Sequence, residues 1–113
     1  MKLIVANWKL NPQTEKEAKE LAKMSDQSNV VIAAPFVFLE EIKKNLKNAK
    51  LGAENCSAEE KGAFTGEISA TMLKNIGVEY VILGHSERRG YFLESDETIN
   101  KKIKRALSAE LNI

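Results

Sequence analysis

Four short apolar runs, each followed by a longer amphipathic stretch, constrain this chain more than any other feature. The runs are residues 3–6, 30–34, 51–53 and 80–83. They are apolar or β-branched almost throughout, without polar alternation, as strands are when both faces are covered. After them apolar residues return every three or four positions: Ala18, Leu21 and Ala22; Leu39, Ile42 and Leu46; Ile68, Met72, Leu73 and Ile76; Ile99, Ile103, Ala106 and Leu107. That spacing predicts helices. Thr14 and Glu17 read as a capping box, Gly77 as a helix stop, and Ser95-Asp96-Glu97 as an acidic helix start. Pairs such as Glu15 with Lys19 fall on outer faces as ordinary solvated charge.

A βα unit repeated four times means an α/β fold with a parallel sheet and right-handed crossovers. A flavodoxin-like open sheet and half of a closed barrel both satisfy that order. Leu111-Asn112-Ile113 reads as a turn feeding a further strand, which favours a half-barrel truncated at the start of strand five. Residues 1–113 are expected to form one domain, a length within the usual range of about 100–150 residues.

Composition excludes several classes of function. A net charge of +1 gives no electrostatic case for nucleic acid or an acidic membrane surface. No apolar run approaches the roughly 20 residues that span a bilayer. Residues 1–7 turn polar too soon for a secretory signal. A single cysteine, Cys56, rules out an internal disulfide and fits a reducing compartment. The expectation is a cytoplasmic protein without membrane or nucleic-acid partners.

In parallel βα folds the chemistry gathers where strands end. The first junction is Asn7-Trp8-Lys9-Leu10-Asn11. Alternation there puts Asn7 and Lys9 on one side and Trp8 on the other, so a lysine and an amide face one mouth. Such a lysine can bind an anion and stabilise developing negative charge. The third junction is Glu54-Asn55-Cys56-Ser57, then a loop through Gly62-Ala63-Phe64-Thr65-Gly66-Glu67. Glycines flanking a Phe-Thr pair suggest a shaped, protruding loop, either a surface excursion or a subunit contact. Cys56 has no histidine near it in sequence and reads as a small loop or core residue. The fourth junction, Gly84-His85-Ser86-Glu87-Arg88-Arg89-Gly90, holds the one histidine of the chain. If a helical turn opens after it, the N–H groups disfavour a charged ring and leave a neutral imidazole able to donate. No second histidine or cysteine pair completes a metal site, and nothing calls for a cofactor.

Taken together these residues resemble the triosephosphate isomerase family. Asn7-Trp8-Lys9-Leu10-Asn11 is similar to its first-loop motif, with leucine where methionine is common. Residues 62–69 resemble its dimer-forming third loop, and residues 84–89 its fourth-strand motif. Ala33-Ala34-Pro35-Phe36 and Ala53-Glu54-Asn55 are weaker supports, Glu54 standing where glutamine is usual. The resemblance implies half of a (β/α)8 TIM barrel, four parallel βα units. It implies that Lys9 binds the substrate phosphate and offsets enediolate charge, that Asn7 orients substrate, and that His85 is a neutral electrophile. Glu87 becomes a further active-site carboxylate. Phe64 and Thr65 belong to a dimer interface, where Thr65 reaches the partner's active site, and Glu67 with Arg88 forms an ion pair steadying it.

In the family the general-base glutamate, the lid and the phosphate-cradling loops all come later, in a barrel of about 250 residues. The resemblance therefore implies a chain inactive alone, taking triose phosphate only when completed by a C-terminal half. A non-catalytic half-barrel self-associating into a homo-oligomer is the alternative. A different phosphate-binding barrel or a flavodoxin-like binder is the third reading.

Overall fold

The computed structural model describes residues 2–113. Its four strands, β1 (Ile4–Asn7), β2 (Val30–Ala34), β3 (Lys50–Ala53) and β4 (Val78–Val81), form one parallel sheet in the order β1-β2-β3-β4. The helices are α1 (Glu15–Ser25), α2 (Leu39–Lys44), α3 (Ala70–Asn75), α4 (Ser86–Tyr91) and α5 (Asp96–Ser108). Strand order separates the two architectures left open above. A flavodoxin-like sheet reverses direction after its first strand pair, whereas here each strand lies beside its predecessor, as in a barrel wall. A parallel bridge between Tyr80 and Asn112 continues the sequence beyond β4.

The core lies between the outer face of this sheet and the helices. Ile32, Leu51 and Val78 from the strands meet Leu39, Ile42 and Leu73 from the helices, all at most 1% exposed. Gly52 leaves no room for a side chain: a Cβ there would lie 2.9 Å from Cγ1 of Val31, and the β3–β4 register shifts between Leu51 and Gly52. The other face is concave and open. Val5, Val31, Ala33, Gly52 and Tyr80 are among the residues lining a cavity of about 260 Å³. β1 forms one edge of the sheet, and Leu3, Ile4 and Val5 remain about half exposed.

Several boundaries move from their expected places. The last strand occupies 78–81 rather than 80–83, because its partners on β3 are Leu51, Gly52 and Ala53. Ser69 caps α3 by accepting from the N–H of Met72, so Ile68 and Ile76 flank that helix and pack on the core from outside it. Thr14 caps α1 as predicted, accepting from the Glu17 N–H, while the Glu17 carboxylate meets the Thr14 hydroxyl and not its backbone N–H. On α5 the buried stripe is Ile99, Lys102 and Ala106, and Leu107 is exposed. Lys102 goes inward because Glu94 and Asn55 receive its ammonium at 2.7 and 2.9 Å. Among the described residues no helix is long and apolar enough to cross a membrane.

Candidate active site

The site begins where β1 runs out. The Trp8 N–H donates to the carbonyl of Ala33 at 2.9 Å and its ring packs against the core. Lys9 then turns with φ +59°, a left-handed bend that a lysine seldom adopts. The Asn7 side chain holds the bend, its Oδ1 accepting from the Lys9 N–H at 2.9 Å. The Lys9 ammonium reaches across the cleft to Oε1 of Glu87 at 2.7 Å. That hydrogen bond raises the lysine's pKa above its usual value and lowers that of Glu87.

The opposite wall comes from the turn after β4. Gly84 takes φ +70°, and a side chain there would crowd Ile99, with Cβ 3.3 Å from its Cδ1. This tight turn delivers His85 to the head of α4, where its Nδ1 accepts the backbone N–H of Glu87 at 3.1 Å. An imidazole that accepts at Nδ1 carries its proton on Nε2 when neutral. The expected helical turn is thus present.

Glu54 and Asn55, leaving β3, close the cleft from the third side. Asn7, Lys9, Glu54, Asn55, His85 and Glu87 line a space of about 270 Å³. Oε2 of Glu54 is buried without a hydrogen-bond partner. Desolvation pushes its carboxyl up to about 7; the Lys9 backbone N–H pulls it down, and the nearby Glu87 charge adds to the rise. Cys56 is also buried, its thiol raised to about 11 mainly by desolvation, so it makes a poor nucleophile.

Arg88 is engaged within its own chain. Its guanidinium lies 2.8 Å from Glu94 and stacks over Phe92, while Glu67 is exposed on the long loop. Within the single chain Arg88 therefore pairs with Glu94, six residues on and more buried than Glu67. Glu94 is desolvated, which raises its pKa, yet Lys102 and Arg88 together hold it below the usual carboxylate range. This Arg88–Glu94–Lys102–Asn55 cluster was missed in the sequence, and it fastens the β4 turn and α5 to the end of β3. Phe64 and Thr65 stand at an exposed loop tip whose base is closed by the Ser57 N–H donating to Ile68 at 2.8 Å.

A family model described as triosephosphate isomerase matches residues 2–113. The triosephosphate isomerase of Alkaliphilus oremlandii is 52% identical over 96% of this chain and 47% of the relative. That of Dictyoglomus turgidum is 48% identical over 97% of this chain and 47% of its own length. The crystal structure of triosephosphate isomerase from Bartonella henselae matches with a TM-score of 0.86 at 36% identity, over 97% of this chain and 48% of that one. The chain spans about half the length of the relatives it matches.

Proposed function

The chain belongs to the triosephosphate isomerase family and corresponds to its N-terminal half, and from that premise we propose that it supplies half of the active site that interconverts glyceraldehyde 3-phosphate and dihydroxyacetone phosphate. The observation that carries the proposal is convergence. Lys9 and Glu87, 78 residues apart, meet across one cleft into which Asn7 and His85 also project. Lys9 binds the substrate phosphate and offsets charge on the enediolate, Asn7 holds the Lys9 turn and orients substrate, and Nε2–H of His85 polarises the carbonyl. The neutral imidazole is the family's own electrophile, carried over by resemblance. Glu87 keeps Lys9 aimed into the cleft. No cofactor or metal enters this scheme.

Residues 1–113 are on this reading one half-barrel domain that turns over nothing by itself. Proton abstraction at carbon needs the general base, and exclusion of water needs the lid; both follow the fourth βα unit in the family. The residues that complete the site are those of a C-terminal half, whichever polypeptide carries them, and the proposed setting is the glycolytic and gluconeogenic chemistry of the cytoplasm. Reconstitution with the C-terminal half of the Alkaliphilus relative tests the roles. There His85→Ala and Lys9→Ala are each expected to lower kcat by about 10²-fold or more. Near-normal rates in either variant contradict the assignment.

A second reading, a self-associating and non-catalytic half-barrel, draws on the half-exposed Leu3, Ile4 and Val5 beside the open inner face. Unpaired strand edges template association, and the Phe64-Thr65 tip offers another contact. Phe64, Thr65, Glu67 and Arg88 are then interface residues of a homo-oligomer. Light scattering over a dilution series is expected to show a dimer or larger species at micromolar concentration; a compact monomer with sharp, cooperative unfolding removes this reading.

A further inference from the structure

Glu54 stands apart from the other charged groups of the cleft because no cation is matched to it. From the β1 end, Lys9 points its ammonium at Glu87 and turns only its backbone N–H toward the Glu54 carboxyl. From the β4 turn and α4 come His85, whose Nδ1 is taken by a backbone N–H, and Glu87, a like charge. Arg88 is turned to Glu94, and so is Lys102 from α5. One oxygen of Glu54 is buried with nothing to accept from.

The charge balance of the cleft therefore depends on this one carboxyl. Lys9 and Glu87 cancel each other. Arg88, which also lines the cleft, shares the single charge of Glu94 with Lys102, so one positive charge is left over beside it; ionising Glu54 cancels that charge and lowers by one the net charge that meets an incoming anion. The carboxyl changes state at about 7, so both conditions occur near neutrality.

We propose that Glu54 is a proton-linked gate on anion binding at Lys9: the neutral acid admits a phosphate-bearing ligand, and the carboxylate opposes it. This rests on the reading of Lys9 as the phosphate-binding lysine and adds a determinant of affinity to that site. Linkage makes the effect reciprocal, so a bound anion raises the proton affinity of Glu54 by the same factor by which protonation tightens the anion. A like charge in the same partly desolvated cleft justifies a factor of about ten.

Inorganic sulfate is the probe, because unlike phosphate it keeps its charge across the range. Its affinity for the 113-residue chain is measured by calorimetry at about pH 6 and about pH 8 for the wild type, Glu54→Gln and Lys9→Met. The carboxyl carbon of Glu54 is followed by NMR with and without sulfate. Wild-type affinity is expected to fall about fivefold between the two pH values, most of the tenfold limit. Glu54→Gln, neutral and of the same shape, is expected to bind at both with the affinity the wild type has at the lower. Sulfate is expected to move the Glu54 midpoint upward by about one pH unit. A Glu54→Gln chain that keeps the wild-type pH slope, or a midpoint that sulfate leaves in place, overturns the gate and leaves the Lys9 reading intact. Binding that is absent from the wild type, or unaffected by Lys9→Met, overturns both.

Discussion

The Lys9 ammonium and the Glu87 carboxylate meet at 2.7 Å although their side chains are 53% and 43% exposed. So exposed a pair contributes little to stability; its consequence is positional, since it holds a lysine already bent by its backbone across the mouth of the cleft. An anion must compete with Glu87 for that ammonium. Glu87→Gln is therefore expected to return the Lys9 pKa toward its ordinary 10.5 and to tighten sulfate binding a few-fold. NMR of the lysine side chain and a sulfate titration check the two effects, and an unchanged Lys9 titration refutes the pair.

Asp26 ties two connections together at the other end of the sheet. Its carboxylate accepts backbone N–H groups of Lys47, Asn48 and Ala49 at 2.9, 2.9 and 2.7 Å. The bond from Ala49 is the main cause of a pKa held below the ordinary 3.8. A carboxyl depressed on folding stabilises the fold above its unfolded pKa, and that stability is lost as pH falls below about 4 through the folded value. Asp26→Ala is expected to cost about 1–2 kcal/mol at neutral pH by orphaning these donors. Denaturant melts are expected to show the difference shrinking as the pH drops below 4. A constant difference across that range is the contrary result.

Glu54 acts in the opposite direction. Its carboxyl is raised on folding to about 7 from 4.5, so the folded state holds a proton that the unfolded chain gives up. Stability linked to this group is full below about pH 4.5 and declines as pH climbs to about 7, beyond which the loss is constant. With its partial exposure allowed for, the loss is about 1–2 kcal/mol. Glu54→Gln is expected to recover that amount at pH 8 and little of it at pH 4. Equal effects at the two pH values contradict a buried, uncompensated carboxylate.

The sheet was legible because its strands read as apolar runs without polar alternation, even though the inner face is open in this chain. The two strand-end motifs were legible because Lys9 and His85 fall at βα junctions. Lys102 was not, since a lysine three residues past Ile99 in an amphipathic helix reads as surface; only the carboxylate of Glu94 and the amide of Asn55 make its burial tolerable. The same cluster takes up Arg88 within the chain, and nothing local in the sequence singles out Glu94 as its partner there. Spacing placed Met72 and Leu107 in apolar stripes, yet both are more than half exposed, as periodicity alone does not say how wide the covered face of a helix is. Glu54 departs from the family pattern in the sequence itself, but its buried oxygen depends on chain segments that meet only in the fold, which no single motif encodes.

On the function proposed above, residues 1–113 supply the electrophile and the phosphate-binding lysine of an isomerase but not its base. A coupled assay of triose phosphate interconversion tests it most directly, using the purified chain alone, the chain mixed with the C-terminal half of the Alkaliphilus oremlandii relative, and the same mixture with Lys9→Ala. The predicted result is no turnover alone, turnover in the mixture, and loss of about 10²-fold or more with the variant. Turnover by the chain alone that disappears with Lys9→Ala, or a mixture that stays inactive although the halves associate, contradicts the account.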